Sequence, residues 1–109
     1  MKRGDIVTVA LPGDIGKPRP AVIVETDRLA PTRHVIVCPG TSELLGDTGQ
    51  RRIYVEPSQT NGLRLPTQFQ ADKITIARRE KCGPVIGRLE DERLEVLGGV
   101  LFTLIGLAD

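Results

Sequence analysis

Arg19 is the residue whose setting first suggests chemistry. It stands between two prolines in Lys17-Pro18-Arg19-Pro20, directly before the apolar run Ala21-Val22-Ile23-Val24. Each proline fixes its own φ and restricts the residue before it, so the Arg19 backbone enters the next strand nearly preset. A guanidinium held this rigidly suits phosphate recognition, because its planar fork reaches two oxygens at once. Pairing with a nearby carboxylate is the ordinary alternative for such an arginine. His34 is the only histidine. It precedes Val35-Ile36-Val37 and reads as an exposed strand start rather than a general base. Arg51-Arg52 and Arg78-Arg79-Glu80-Lys81 flank other strands. They suit a polyanion backbone, and equally the protection of a sheet edge by charge.

The charge distribution points the same way. Residues 51–88 hold eight basic and three acidic side chains, whereas residues 89–109 hold one basic and five acidic. A basic middle beside an acidic tail suits a polyanion partner. With 3% aromatic residues and no Trp, bases have few rings to stack on, so RNA must be held by charge and hydrogen bonds. Cys38 and Cys82 lack CxxC spacing and a histidine cluster, so they read as buried thiols in a reducing compartment, with no metal or other cofactor. Met1 to Asp5 are not followed by an apolar h-region, and Val96 to Ala108 is too short to span a bilayer. A cytoplasmic protein is expected.

The elements that position these residues are short. At 109 residues the chain is expected to be one domain over 1–109. Asp5 to Leu11 alternates as a strand, and Pro12 to Pro20 is a loop. Ala21 to Glu25 and His34 to Cys38 are β-branched runs, and Arg52 to Glu56 is a half-exposed strand. Gln68 to Ile76 reads as one longer strand with Gln68, Gln70 and Asp72 on a common face. Leu94, Leu97, Leu101 and Leu104 then recur at helical spacing behind Glu90, Asp91 and Glu92, acids suited to a helix N-terminus. Six or so strands before one amphipathic helix, weakened by Gly98 and Gly99, give a mainly β protein with a small, strongly bent SH3-like antiparallel barrel.

Taken together, these segments resemble the MazF/PemK (Kid) toxins. Arg3-Gly4-Asp5-Ile6-Val7 and Arg19-Pro20-Ala21-Val22-Ile23-Val24 match the family's N-terminal signature. Val37-Cys38-Pro39-Gly40-Thr41-Ser42 resembles the strand end that carries its threonine. Leu65-Pro66-Thr67-Gln68-Phe69-Gln70-Ala71-Asp72-Lys73-Ile74 resembles its serine-to-acid strand. The resemblance covers nearly the whole chain. It implies a type II toxin that cleaves single-stranded RNA without metal, by 2′-hydroxyl attack giving a 2′,3′-cyclic phosphate and a 5′-hydroxyl. Arg19 and Thr41 would be catalytic, and Asp72 would be a base or positioning group. Candidate RNA contacts are Lys17, Ser42, Thr67 and Gln70, with the pairs Arg51-Arg52 and Arg78-Arg79. Asp14, in the loop before Arg19, is expected to gate access to the site. Thr67 has a plainer reading, in which its hydroxyl satisfies a backbone group.

The resemblance also implies a homodimer and a MazE/PemI-like antitoxin. Gln70 stands where some PemK-type members place an arginine, and Lys73 replaces a glutamine. These departures keep a decayed member open beside the nuclease. A CcdB-type gyrase poison on the same barrel is the other alternative. It would need neither the Arg19 junction nor Thr41, and these two features favour the nuclease.

Overall fold

The computed structural model describes residues 1–13 and 15–109; Asp14, expected to gate access to the site, lies outside them. Among the described residues, seven strands are followed by one α-helix: β1 (Asp5–Val9), β2 (Arg19–Ile23), β3 (His34–Thr41), β4 (Arg52–Val55), β5 (Thr67–Gln70), β6 (Thr75–Arg78), β7 (Val85–Arg88) and α1 (Asp91–Leu104). The strand order is β4-β5-β3-β2-β1-β7, with β6 also on β3, and every pairing is antiparallel. The sheet curls into a half-barrel of the expected class. No helix among the described residues is long and apolar enough to cross a membrane.

Strand β3 is the pivot. One edge pairs β2 through Val37, Cys38 and Pro39. Its other edge pairs β6 through His34 to Val37 and then β5 through Gly40 and Thr41. Here the structure corrects the expectation of one strand from Gln68 to Ile76. Ala71–Lys73 form a one-turn 3-10 helix between β5 and β6, and that turn lets β5 peel away with β4. Gly40 sits at this bend because a Cβ there would lie 2.7 Å from Thr67 Cγ2 and 2.9 Å from Phe69 Cε1.

Alternation along β1 and β2 buries both faces rather than one. Ile6, Val22, Val24 and Cys38 join Phe69, Leu89 and Leu97 in one cluster. Val7, Val9, Ala21, Ile23, Val35 and Val37 form the other with Ala77. Helix α1 closes the first cluster with the expected stripe, Leu94, Leu97, Leu101 and Leu104. Cys38 is fully buried and free. Burial, with the charge of Asp72 added, pushes its thiol up to about 12. Cys82 is only half-buried, which corrects the expectation of two buried thiols.

Candidate active site

Register brings Arg19 and Thr41 together. Ala21 lies opposite Pro39, Val22 opposite Cys38 and Ile23 opposite Val37. Continued two residues past these pairs, the same register brings Arg19 of β2 level with Thr41 of β3. Both side chains line a cavity of about 550 Å³, with Arg52, Gln70 and Lys73 among its other walls. Thr41 Oγ1 accepts the Glu43 amide at 3.1 Å, which leaves the hydroxyl proton to be donated into the cavity.

The opposed row continues through the next strands, with Thr41 opposite Gln68 and Gln68 opposite Tyr54. Ile53, Val55 and Phe69 turn to the core, so Arg52, Tyr54, Gln68 and Gln70 share the other, polar face. Gln68 was no candidate in the sequence, yet it is only 6% exposed and fully engaged. Its Oε1 accepts the Leu45 amide and Arg52 Nη1, both at 3.0 Å, and its Nε2 donates to the Leu45 carbonyl at 2.9 Å. Arg52 Nη1 also reaches the Glu43 carbonyl at 3.3 Å.

A second cavity, about 600 Å³, opens on the other side of Arg19. Arg19 and Gly40 belong to both cavities. The second is lined by Lys17, Ser42 and Thr67, and by Leu63, Arg64 and Leu65 of the loop before β5. Thr67 Oγ1 donates to the Leu65 carbonyl at 2.9 Å, the backbone role expected of it. That loop is seated on β7 at Gly62, whose φ is +69°, and a Cβ there would lie 2.0 Å from the Ile86 carbonyl oxygen.

A half-barrel carrying an arginine and a threonine across one strand pair accords with what sequence comparison finds. The sequence model of the PemK-like, MazF-like toxins of type II toxin–antitoxin systems matches residues 2–101. The chain belongs to this family. The probable endoribonuclease MazF of Mycolicibacterium smegmatis is 35% identical to this toxin over 109 residues, 99% of each chain. Among solved structures, an endoribonuclease in complex with its cognate antitoxin from a mycobacterial species superimposes with a TM-score of 0.80 at 20% identity. It covers 98% of this chain and 96% of that one. Mycobacterium tuberculosis toxin MazF-mt6 gives a TM-score of 0.73 at 22% identity, over 93% and 95%. These two show the shared fold.

The toxin fold gathers Arg19, Thr41, Arg52 and Gln70 around one cavity and Lys17, Ser42 and Thr67 around the other. It does not gather Asp72. In an unbroken strand Asp72 would follow Gln68 and Gln70 onto their face, but the 3-10 turn resets the alternation. Lys73 and Thr75 line the cavity instead, and Asp72 is exposed and lines neither cavity. Arg51 is exposed and also lines neither. Arg78 lies opposite His34, at the far end of β3, roughly 20 Å along the strand from Thr41. Its guanidinium pairs with Glu80, and Arg79 pairs with Glu25 at 2.9 Å. His34 is exposed at its strand start, as expected.

Proposed function

We propose that this MazF-type endoribonuclease toxin cuts single-stranded RNA without a metal, seating the scissile phosphate between Arg19 and Thr41. The observation that carries this reading is that both residues line one cavity, with Arg19 also on the wall which that cavity shares with the other. The 2′-hydroxyl gives up its proton as its oxygen attacks phosphorus, the bond to the 5′-oxygen breaks, and that leaving oxygen gains a proton, so the proton count is unchanged. A cyclic 2′,3′-phosphate and a 5′-hydroxyl result. Negative charge gathers on the non-bridging oxygens during attack. A preset guanidinium and a hydroxyl whose lone pair is already engaged are the donors that such a state needs.

The strand then runs from one cavity to the other across Arg19, with Arg52, Gln70 and Lys73 on one side and Lys17, Ser42 and Thr67 on the other. Dependence on the 2′-hydroxyl makes the activity specific to RNA. The toxin acts in the cytoplasm as a homodimer, and a MazE-like antitoxin silences it. The relative solved with its cognate antitoxin and the MazE-MazF structure from Deinococcus radiodurans, of TM-score 0.72 and 19% identity, support that pairing. Incubation of purified toxin with defined RNA in EDTA, followed by end mapping, tests the reading. Cyclic phosphate and 5′-hydroxyl ends are expected. Intact RNA, or cutting only after a divalent ion is added, overturns it.

A further inference from the structure

We propose that Gln68 is a positioning residue that sets the cleavage preference of this toxin, by locking the 42–50 loop and the Arg52 guanidinium into one unit beside Thr41. The proposal rests on the RNA-cutting role assigned above and goes beyond it, because Gln68 touches no reacting atom.

The loop between β3 and β4 has no strand partner where it passes the site. At Leu45 a single side-chain amide takes over that role. The Gln68 carboxamide accepts the Leu45 N–H and donates to the Leu45 C=O, at 3.0 and 2.9 Å, reproducing the two bonds that a neighbouring strand would make. The same Oε1 receives Arg52 Nη1 at 3.0 Å, and Arg52 in turn holds the Glu43 carbonyl. Glu43, Leu45 and Arg52 all line the Thr41 cavity. One buried carboxamide therefore fixes an acid, an apolar side chain and a cation on the wall that a nucleotide beside the scissile phosphate would meet.

This arrangement is directional. A neutral carboxamide accepts from Leu45 N–H and donates to Leu45 C=O together, which a carboxylate or a thioether cannot. Because Gln68 is adjacent to Thr41 across β3 and β5, a shift of the loop displaces the nucleotide wall while leaving the Arg19–Thr41 pair in its own register. The clamp should therefore govern which sequence is bound well, and not the chemical step.

Two substitutions separate the clamp from simple stability. Gln68→Glu retains acceptors for Leu45 N–H and Arg52 but turns a carboxylate oxygen on the Leu45 carbonyl. Gln68→Met removes all three bonds at similar volume. Both are assayed on an oligoribonucleotide with one preferred site and on a long RNA of mixed sequence, with melting temperature and exchange of the Leu45 amide recorded. In both variants KM should rise roughly tenfold, the loss expected when the hydrogen bond that holds the Leu45 carbonyl is broken. The cutting step should change little, cut sites should spread to sequences that wild type spares, and in the Met variant the Leu45 amide should exchange faster. Unchanged KM and cut-site pattern, or a fall in kcat with the pattern retained, overturns the proposal. If wild type leaves RNA intact, the assigned function fails. The clamp is then decided by Leu45 exchange in the Met variant, which refutes it if unaltered.

Discussion

Asn61 Nδ2 reaches both carboxylate oxygens of Glu90, at 3.1 and 3.4 Å, and so ties the loop before β5 to the residue that starts the helix. Asn61 is wholly buried. Its Oδ1 also accepts the Ser58 and Leu63 amides, each at 3.0 Å, and its Nδ2 donates to the Glu56 carbonyl at 2.8 Å. Asn61→Ala leaves these groups without their partner beneath the 57–64 loop. It should cost about 3 kcal/mol of folding free energy, read as a shifted denaturant midpoint at constant slope. A loss below about 1 kcal/mol would mean that water replaces the side chain.

Glu90 makes that network sensitive to acid. Partial burial raises its carboxyl, but hydrogen bonds from Ser58, its own backbone and Asn61 outweigh this and hold it below its ordinary 4.5. A lowered carboxyl contributes stability that is fully present above its unfolded value and is lost as pH falls through the folded one. The toxin should therefore lose stability below about pH 4.5. Glu90→Gln should flatten that part of the curve of unfolding free energy against pH. An identical acid slope in wild type and variant would place the titration elsewhere.

Arg19→Ala and Thr41→Val remove two donors that line the same cavity. Each should lower the cutting rate by about a hundredfold or more with an unchanged melting temperature. Arg19→Lys should restore little, since a point charge cannot replace the two-pronged fork. Single-turnover cleavage of one defined RNA measures this. A Thr41→Val enzyme of full activity would remove the hydroxyl from the mechanism.

What the sequence shows of the site follows from how locally each feature is encoded. Two prolines announce Arg19, and a β-branched run ending in Pro39-Gly40 announces Thr41, so both are legible from neighbours in the chain. The facing of Asp72 is not legible, because the alternation of Gln68, Gln70 and Asp72 continues across a turn that no Gly or Pro marks. Strand β7 is equally unmarked. Val85-Ile86-Gly87-Arg88 is short, and only its packing on Gly62 and β1 makes it a strand. Gln68 escaped notice because its importance lies in Leu45 and Arg52, 23 and 16 residues away in sequence. Helix α1 was legible throughout, since its acids and leucines lie on one continuous segment.

Inhibition by an antitoxin should depend on the cations around Arg19 rather than on every basic pair. An acidic, disordered segment that mimics RNA suits the two cavities, since it can wrap a large surface and be removed by proteolysis. Lys17, Arg19, Arg52 and Lys73 line these cavities, and Arg51 adjoins Arg52. Arg78 and Arg79 sit roughly 20 Å away along β3, about two Debye lengths at physiological salt, and they are already paired with Glu80 and Glu25. Charge reversal at Arg51-Arg52 should therefore slow association about tenfold at low salt, and at physiological salt reversal at Arg78-Arg79 should have little effect. Stopped-flow association across a salt series measures both. Affinity that is indifferent to salt would rule out charge-led capture, and equal slowing by the two reversals would place the antitoxin along the whole of β3 rather than over Arg19.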